Sequence, residues 1–188
     1  LNTAAPMIES VFNNGNPDFR IPYTLTGQRE SDSNPVANAL IRILSLAVSR
    51  ITSTDVSDIL ALPEINRKFD FPDDFETIDN WIEQTRICWA LDGMHKQTFN
   101  VPANNRHSFD DGMSRLFLAY AMPDGCDTPI GGILPAGHIQ GNQSALLGQF
   151  RFFIEKLRKL RQTLSIDKNA QAWRLCILET LSDFIDIN

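Results

Sequence analysis

The residues able to do chemistry are few, and none stands in a working pattern. Gly132-Ile-Leu-Pro-Ala-Gly137 has the glycine spacing of a phosphate-binding loop. Such a loop continues Gly-Lys-Ser/Thr, because the lysine meets the phosphates and the hydroxyl holds magnesium. Here His138 and Ile139 follow, and Pro135 removes a backbone donor from the loop. A surface loop ahead of a helix explains the glycines. The three histidines, His95, His107 and His138, form no His-Glu-x-x-His or His-x-His spacing. Cys88, Cys126 and Cys176 are widely separated, with no Cys-x-x-Cys; free thiols in a reducing cytosol suit this odd count. No nucleophile elbow is present. The paired carboxylates Asp73-Asp74 and Asp110-Asp111 fall in expected first turns of helices, where the helix dipole favours negative charge. The residues therefore assign no catalytic group, no metal and no cofactor.

Charge is more informative. The chain carries a net charge of −6. Yet Arg151, Lys156, Arg158, Lys159, Arg161, Lys168 and Arg174 crowd one stretch, opposed only by Glu155 and Asp167. A basic ridge of this kind can contact phosphates with salt-dependent affinity and no reading of base sequence. Arg151, Lys156, Arg158, Lys159, Arg161 and Arg174 are thus the candidate DNA-binding residues. A solvated helix face and a protein contact are the competing readings. Trp81, Trp89 and Trp173 could stack bases. Trp81 and Trp173 lie on apolar stripes, which points to core packing, and Trp89 sits near a helix end. Asn142-Gln-Ser144 matches a glycosylation acceptor, with nothing else suggesting secretion.

The elements that would carry these residues are mainly helical. Residues 1–30 differ from the rest. Pro6 to Phe12 suits a short helix, Asn13 to Pro17 is a turn cluster, and Ile21-Pro-Tyr-Thr-Leu25 reads as a short edge strand. Residues 31–188 read as a helical domain. Asn34-Pro35 is an N-cap followed by proline, Thr52-Ser-Thr-Asp55 has the pattern of a capping box, and Pro63 interrupts the helix that follows. Phe75, Ile78, Trp81 and Ile82 form one buried stripe; Asp92 to Arg106 reads as irregular. Ser108 and Asp111 cap a helix with Phe109, Met113, Leu116, Phe117 and Tyr120 inward. A long helix from about Leu146 to Leu164 follows a loop rich in Gly and Pro. Asn169 caps the last helix, with Trp173, Cys176, Ile177, Leu181, Phe184 and Ile185 inward. With 188 residues and 43% hydrophobic content the chain can bury a real core, and it holds no apolar run long enough for a membrane span. It shows no signal peptide and does not begin with Met, so it reads as a piece of a longer protein.

A series of blocks adds an identity that the chemistry does not. These are Ile21 to Leu25 with Arg29, Asn34-Pro35, Leu44-Ser-Leu46, Ser49-Arg50, Asp55-Val56 and Arg67-Lys-Phe69. They continue with Trp81-Ile-Glu83, Ile87-Cys-Trp-Ala-Leu-Asp92, Phe109, Arg115-Leu-Phe-Leu-Ala-Tyr-Ala-Met122, Gly132-Ile-Leu-Pro135 and Trp173. In order and spacing they resemble the RecC family, the gamma subunits of exodeoxyribonuclease V (the RecBCD complex). The resemblance implies a superfamily 1 helicase architecture that has lost its ATPase motifs, so the missing phosphate-binding lysine fits it. It implies that residues 1–30 begin a second helicase-like core domain and that residues 31–188 are the helical domain inserted into it. It also implies RecB-like and RecD-like partner subunits, DNA in the full complex, no membrane, a cytoplasmic location and a non-catalytic role in double-strand break repair. No contact to the Chi hotspot is carried over, because in the family those residues lie outside this segment. Two departures stand out. Gly27-Gln28 occupies a place where the family more often has an aspartate, and the region from Pro123 to Pro129 diverges.

Overall fold

A computed structural model describes residues 7, 10–12, 34–71, 76–123, 128–136, 139 and 141–186. The strand expected at Ile21–Leu25, Arg29, the carboxylates Asp73 and Asp74, Phe75, Cys126 and His138 lie outside the described residues. The chain divides into two units, residues 1–38 and 39–188. In the first, Met7 and Ser10 to Phe12 are helical, and the Ser10 hydroxyl donates to the Met7 carbonyl. Asn34 accepts from the Ala37 amide at 3.1 Å, the cap expected ahead of Pro35.

Among the described residues the structure is mainly α-helical. The helices are α1 (Pro35–Val48), α2 (Ser53–Leu60), α3 (Pro63–Phe69), α4 (Glu76–Thr85), α5 (Gly93–Gln97), α6 (Phe109–Ala121), α7 (Ser144–Leu164) and α8 (Ala170–Phe184), with a 3-10 turn, Gly141–Gln143, leading into α7. Among the described residues extended pairing is confined to the bridges Thr52–Trp89 and Ile130–Ile133. Short polar side chains start the helices as local chemistry requires. Thr52 and Asp55 form a full capping box, Ser108 accepts from the Asp111 amide, and Asn169 accepts from the Ala172 amide.

Two expectations need correction. Pro63 opens α3 instead of merely ending α2, because at the first helical position its missing N–H has no intrahelical partner to lose. The stretch from Asp92 to Arg106 contains α5, whose start Asp92 caps by accepting from the His95 amide at 2.7 Å. A helix of one turn and a half has no apolar period to read.

The core gathers around α7. Leu147, Phe150, Phe153, Ile154, Leu157 and Leu160 are buried along it. Near its middle Phe153 meets Phe69 edge-on at 5.2 Å and Phe184 at 6.0 Å, so one ring cluster joins α7 to α3 and α8. After α8 the Asp186 amide donates to the Glu64 carbonyl, which fastens the chain to α3. On the other side α4 and α6 pack closely, with Trp81, Ile78, Phe109 and Met113 buried. A methyl group at Gly112 would lie 2.3 Å from Ile87 Cδ1 and Cγ1, so only glycine permits this approach. Between α1 and α2, Ile51 adopts φ 54°, unusual for a β-branched residue. That strain is worth about 1–3 kcal/mol. Full burial of the Ile51 side chain contributes about the same amount in the opposite sense, and the bridge Thr52–Trp89 adds to it.

Several residues expected inward are exposed. On α6 the inward line is Phe109, Gly112, Met113 and Leu116; Phe117 is rotated about 100° from Leu116, and Tyr120 lies a turn beyond it. On α8 the buried line is Cys176, Thr180 and Phe184, which leaves Ile177 on the flank; Trp173 continues that line one turn before Cys176, where it is 36% exposed. The apolar stripes read from the sequence are wider than the surfaces that cover them.

Candidate nucleic-acid interface

The basic stretch lies on α7, the segment after it and the start of α8, and most of its charge is turned to other helices. The Arg158 side chain is only 18% exposed. It pairs with Asp92, the cap of α5, and with Asp110 in the first turn of α6 at 2.6 Å. Arg151 reaches the same Asp110 at 3.2 Å and Glu155 at 2.5 Å. Arg161 donates to the carbonyls of Ala47 and Ser49 at 3.0 and 3.3 Å, where α1 ends, and to Thr98 Oγ1 at 3.0 Å. A cation at a helix C-terminus meets both unsatisfied carbonyls and the negative end of the dipole. Partial burial lowers the Arg161 guanidinium from its ordinary pKa.

Towards α8 the pattern repeats. Lys156 pairs with Asp183 at 2.7 Å and lies 5.3 Å from the Phe152 ring centre. Lys159 pairs with Glu179 at 2.8 Å, and that hydrogen bond raises its pKa. Lys168 donates to the carbonyls of Thr163 and Ile166 and sits 5.1 Å from the Trp173 ring centre. Arg174 is exposed and makes no ion pair or hydrogen bond among the described residues. The six candidate residues are therefore not one open ridge. Arg151, Lys156, Arg158 and Arg161 join α7 to α1, α5, α6 and α8, while Lys159 and Arg174 face outward.

The residues nearest to catalytic chemistry are structural in their surroundings. His95 is buried; its Nδ1 accepts from the Leu91 amide at 3.1 Å and its Nε2 donates to the Ser49 carbonyl at 3.2 Å. Burial, then the neighbouring Arg161, lowers its pKa to about 4. His95, Asp92, Arg158 and Arg161 line a groove of about 440 Å³ between the end of α1, α5 and α7, with Leu91, Met94 and Val48 as apolar walls. Exposed His107 bonds the Arg86 carbonyl through Nδ1 at 3.0 Å. No group of three His, Cys, Asp or Glu side chains is placed to hold a metal ion among the described residues. Cys88 and Cys176 are free thiols, one exposed and one buried. Gly131 and Gly132 form a tight turn between Ile130 and Ile133, both at positive φ. Trp81 is buried, Trp89 is half-buried under the Arg50 guanidinium at 4.5 Å, and Trp173 is 36% exposed, a correction to its expected core position.

Sequence reading did not find the partners of the cations. Glu155 with Arg151 and Arg158 is a helical spacing and was legible. The pairs from Arg158 to Asp92 and Asp110 cross 66 and 48 positions and left no local signal.

Residues 33–188 match the family model for the fourth domain of RecBCD enzyme subunit RecC. The chain belongs to the RecC family. Curated RecC subunits of the RecBCD enzyme align over nearly all of it. The one from Buchnera aphidicola of Acyrthosiphon pisum is 29% identical over 100% of this chain, the one from Escherichia coli K12 is 26% identical over 98%, and the one from Mycobacterium tuberculosis H37Rv is 24% identical over 100%. The chain spans 18, 16 and 17% of the length of these RecC proteins. Among the described residues no helix of this RecC-family chain is long and apolar enough to cross a membrane.

Proposed function

We propose that this chain is a non-catalytic structural segment of a RecC-like gamma subunit of exodeoxyribonuclease V. It would serve ATP-dependent unwinding and degradation of DNA in double-strand break repair by homologous recombination, in the cytoplasm. Its part there is to shape and stiffen the body that guides strands, while RecB-like and RecD-like partners hydrolyse ATP and cut DNA. It takes no cofactor in this role, and its helices resemble the inserted helical domain of superfamily 1 helicases. One observation carries the reading. The charged side chains best suited to ligand work instead join α7 to α1, α5, α6 and α8. Such cross-links favour one fixed helical arrangement. In the test, the purified chain hydrolyses no ATP and cuts no DNA. In the intact complex, Arg158→Ala in the RecC-like subunit lowers activity only as far as it lowers assembly and thermal stability. ATP hydrolysis by the pure chain, abolished by one substitution within it, would overturn the proposal.

A second reading is direct contact with DNA phosphates. Its support is the outward placement of Lys159 and Arg174. It is tested by exchanging these two for Glu, which spares the buried cross-links. The reading requires weak, salt-sensitive DNA binding that the exchange reduces; unchanged binding rejects it.

A further inference from the structure

α8 exposes more apolar surface than an ordinary surface helix. Its acidic side chains, Glu179 and Asp183, bond the lysines of α7. Its exposed side carries large apolar residues: Leu175 is 57% exposed, Leu178 47% and Ile177 40%, with exposed Gln171, Arg174 and Ser182 among them and Trp173, 36% exposed, a turn before buried Cys176. Ile166, 62% exposed, extends the patch, since Lys168 bonds the Ile166 carbonyl and lies over the Trp173 ring. At about 100° per residue Ile177, Leu178 and Leu175 run from the flank to the back of the helix. The cation within that arc is Arg174, which has no partner among the described residues. Among those residues α8 packs chiefly on α7 and α3. Large apolar side chains exposed together on one face mark a surface that another surface covers.

We infer that the outer face of α8 is a seam covered by another part of the same RecC-type polypeptide, through an apolar surface bearing a carboxylate opposite Arg174. Three considerations select this occupant. The curated relatives place the matched stretch within chains several times longer, so covering polypeptide is present in them wherever the segment is made. An apolar patch left open until a second subunit arrives invites aggregation, whereas a covalently linked cover is available during folding. Nucleic acid suits the face poorly, because most of its exposed side chains are large and apolar, with Arg174 and Lys168 as its cations and Lys168 already bonded to the Thr163 and Ile166 carbonyls. The inference rests on the chain being a segment of a RecC-type subunit.

The test is thiol labelling of Leu178→Cys and, separately, Leu175→Cys, with Cys88 and Cys126 changed to Ser. Rates are compared in this chain, in the full-length RecC-type subunit alone, and in the subunit with its partners. The expected result is fast labelling in this chain and labelling on the order of a hundredfold slower in the subunit alone. Equal rates in the chain and the lone subunit overturn the inference. So does protection that appears only when partner subunits are added, or protection in this chain that is lost on dilution, which marks a second copy as the occupant. Co-purification of the subunit with its partners tests the functional reading separately. Free labelling in a subunit that assembles normally defeats the seam alone.

Discussion

His95 shows how a residue suited to acid–base chemistry is held for structure. Its neutral form accepts at Nδ1 from the Leu91 amide and donates at Nε2 to the Ser49 carbonyl. A proton on Nδ1 would cancel the acceptor and place a cation beside Arg161 in a buried site. Its folded pKa of about 4 lies below its ordinary value of 6.5. The unfolded chain therefore binds the proton first as pH falls. Stability that is whole above pH 6.5 declines between 6.5 and about 4 from this residue. Urea unfolding across that range, compared with His95→Gln, should show a steeper fall in the parent than in the variant; parallel curves would contradict the assignment. Gly112 supplies a second residue-scale prediction. Alanine at an interior helix position usually gains up to about 1 kcal/mol over glycine. Here its methyl group would strike Ile87 at 2.3 Å. Overpacking costs about 1–3 kcal/mol, so Gly112→Ala should lower the melting temperature in a calorimetric scan. These roles were not legible in the sequence, because the partners Leu91, Ser49 and Ile87 are recognised only once the helices are packed.

At the scale of elements, local chemistry was the readable part. Asn34, Thr52, Ser108 and Asn169 each cap the helix their spacing foretold, since an N-cap bonds an amide two or three residues away. Thr52→Ala should lower the unfolding free energy by about 1 kcal/mol, measured by urea denaturation. It also removes the hydroxyl bond to Asp55 at 2.6 Å. The apolar period gave the long helices but overstated their buried faces. Phe117, Tyr120, Trp173 and Ile177 continue a stripe beyond the area that a neighbour covers. Period alone reports which side is apolar, not how much of it is met. The basic stretch failed to reveal its use for a related reason. Composition shows seven cations in sequence, but most of the carboxylates and carbonyls that Arg151, Lys156, Arg158, Lys159 and Arg161 meet come from α1, α5, α6 and α8.

At the scale of the molecule, those contacts make α7 a spine. Its apolar side organises the core, and its charged flanks tie four other helices to it. The links differ in worth. Exposed ion pairs contribute little, whereas breaking a buried pair leaves a charge uncompensated. Lys159, 62% exposed, should be replaceable by Ala with no measurable change in melting temperature. Family membership fits this picture of a rigid part in a longer subunit, and the exposed apolar residues of α8 are where the proposed cover would sit.

The central claim is that α7's cations are internal cross-links, and the urea unfolding free energy of Arg158→Ala tests it most directly. With Arg158 mostly buried between Asp92 and Asp110, the loss should be about 2 kcal/mol, between the values for exposed and fully buried pairs. An unfolding free energy equal to that of the parent chain would contradict it.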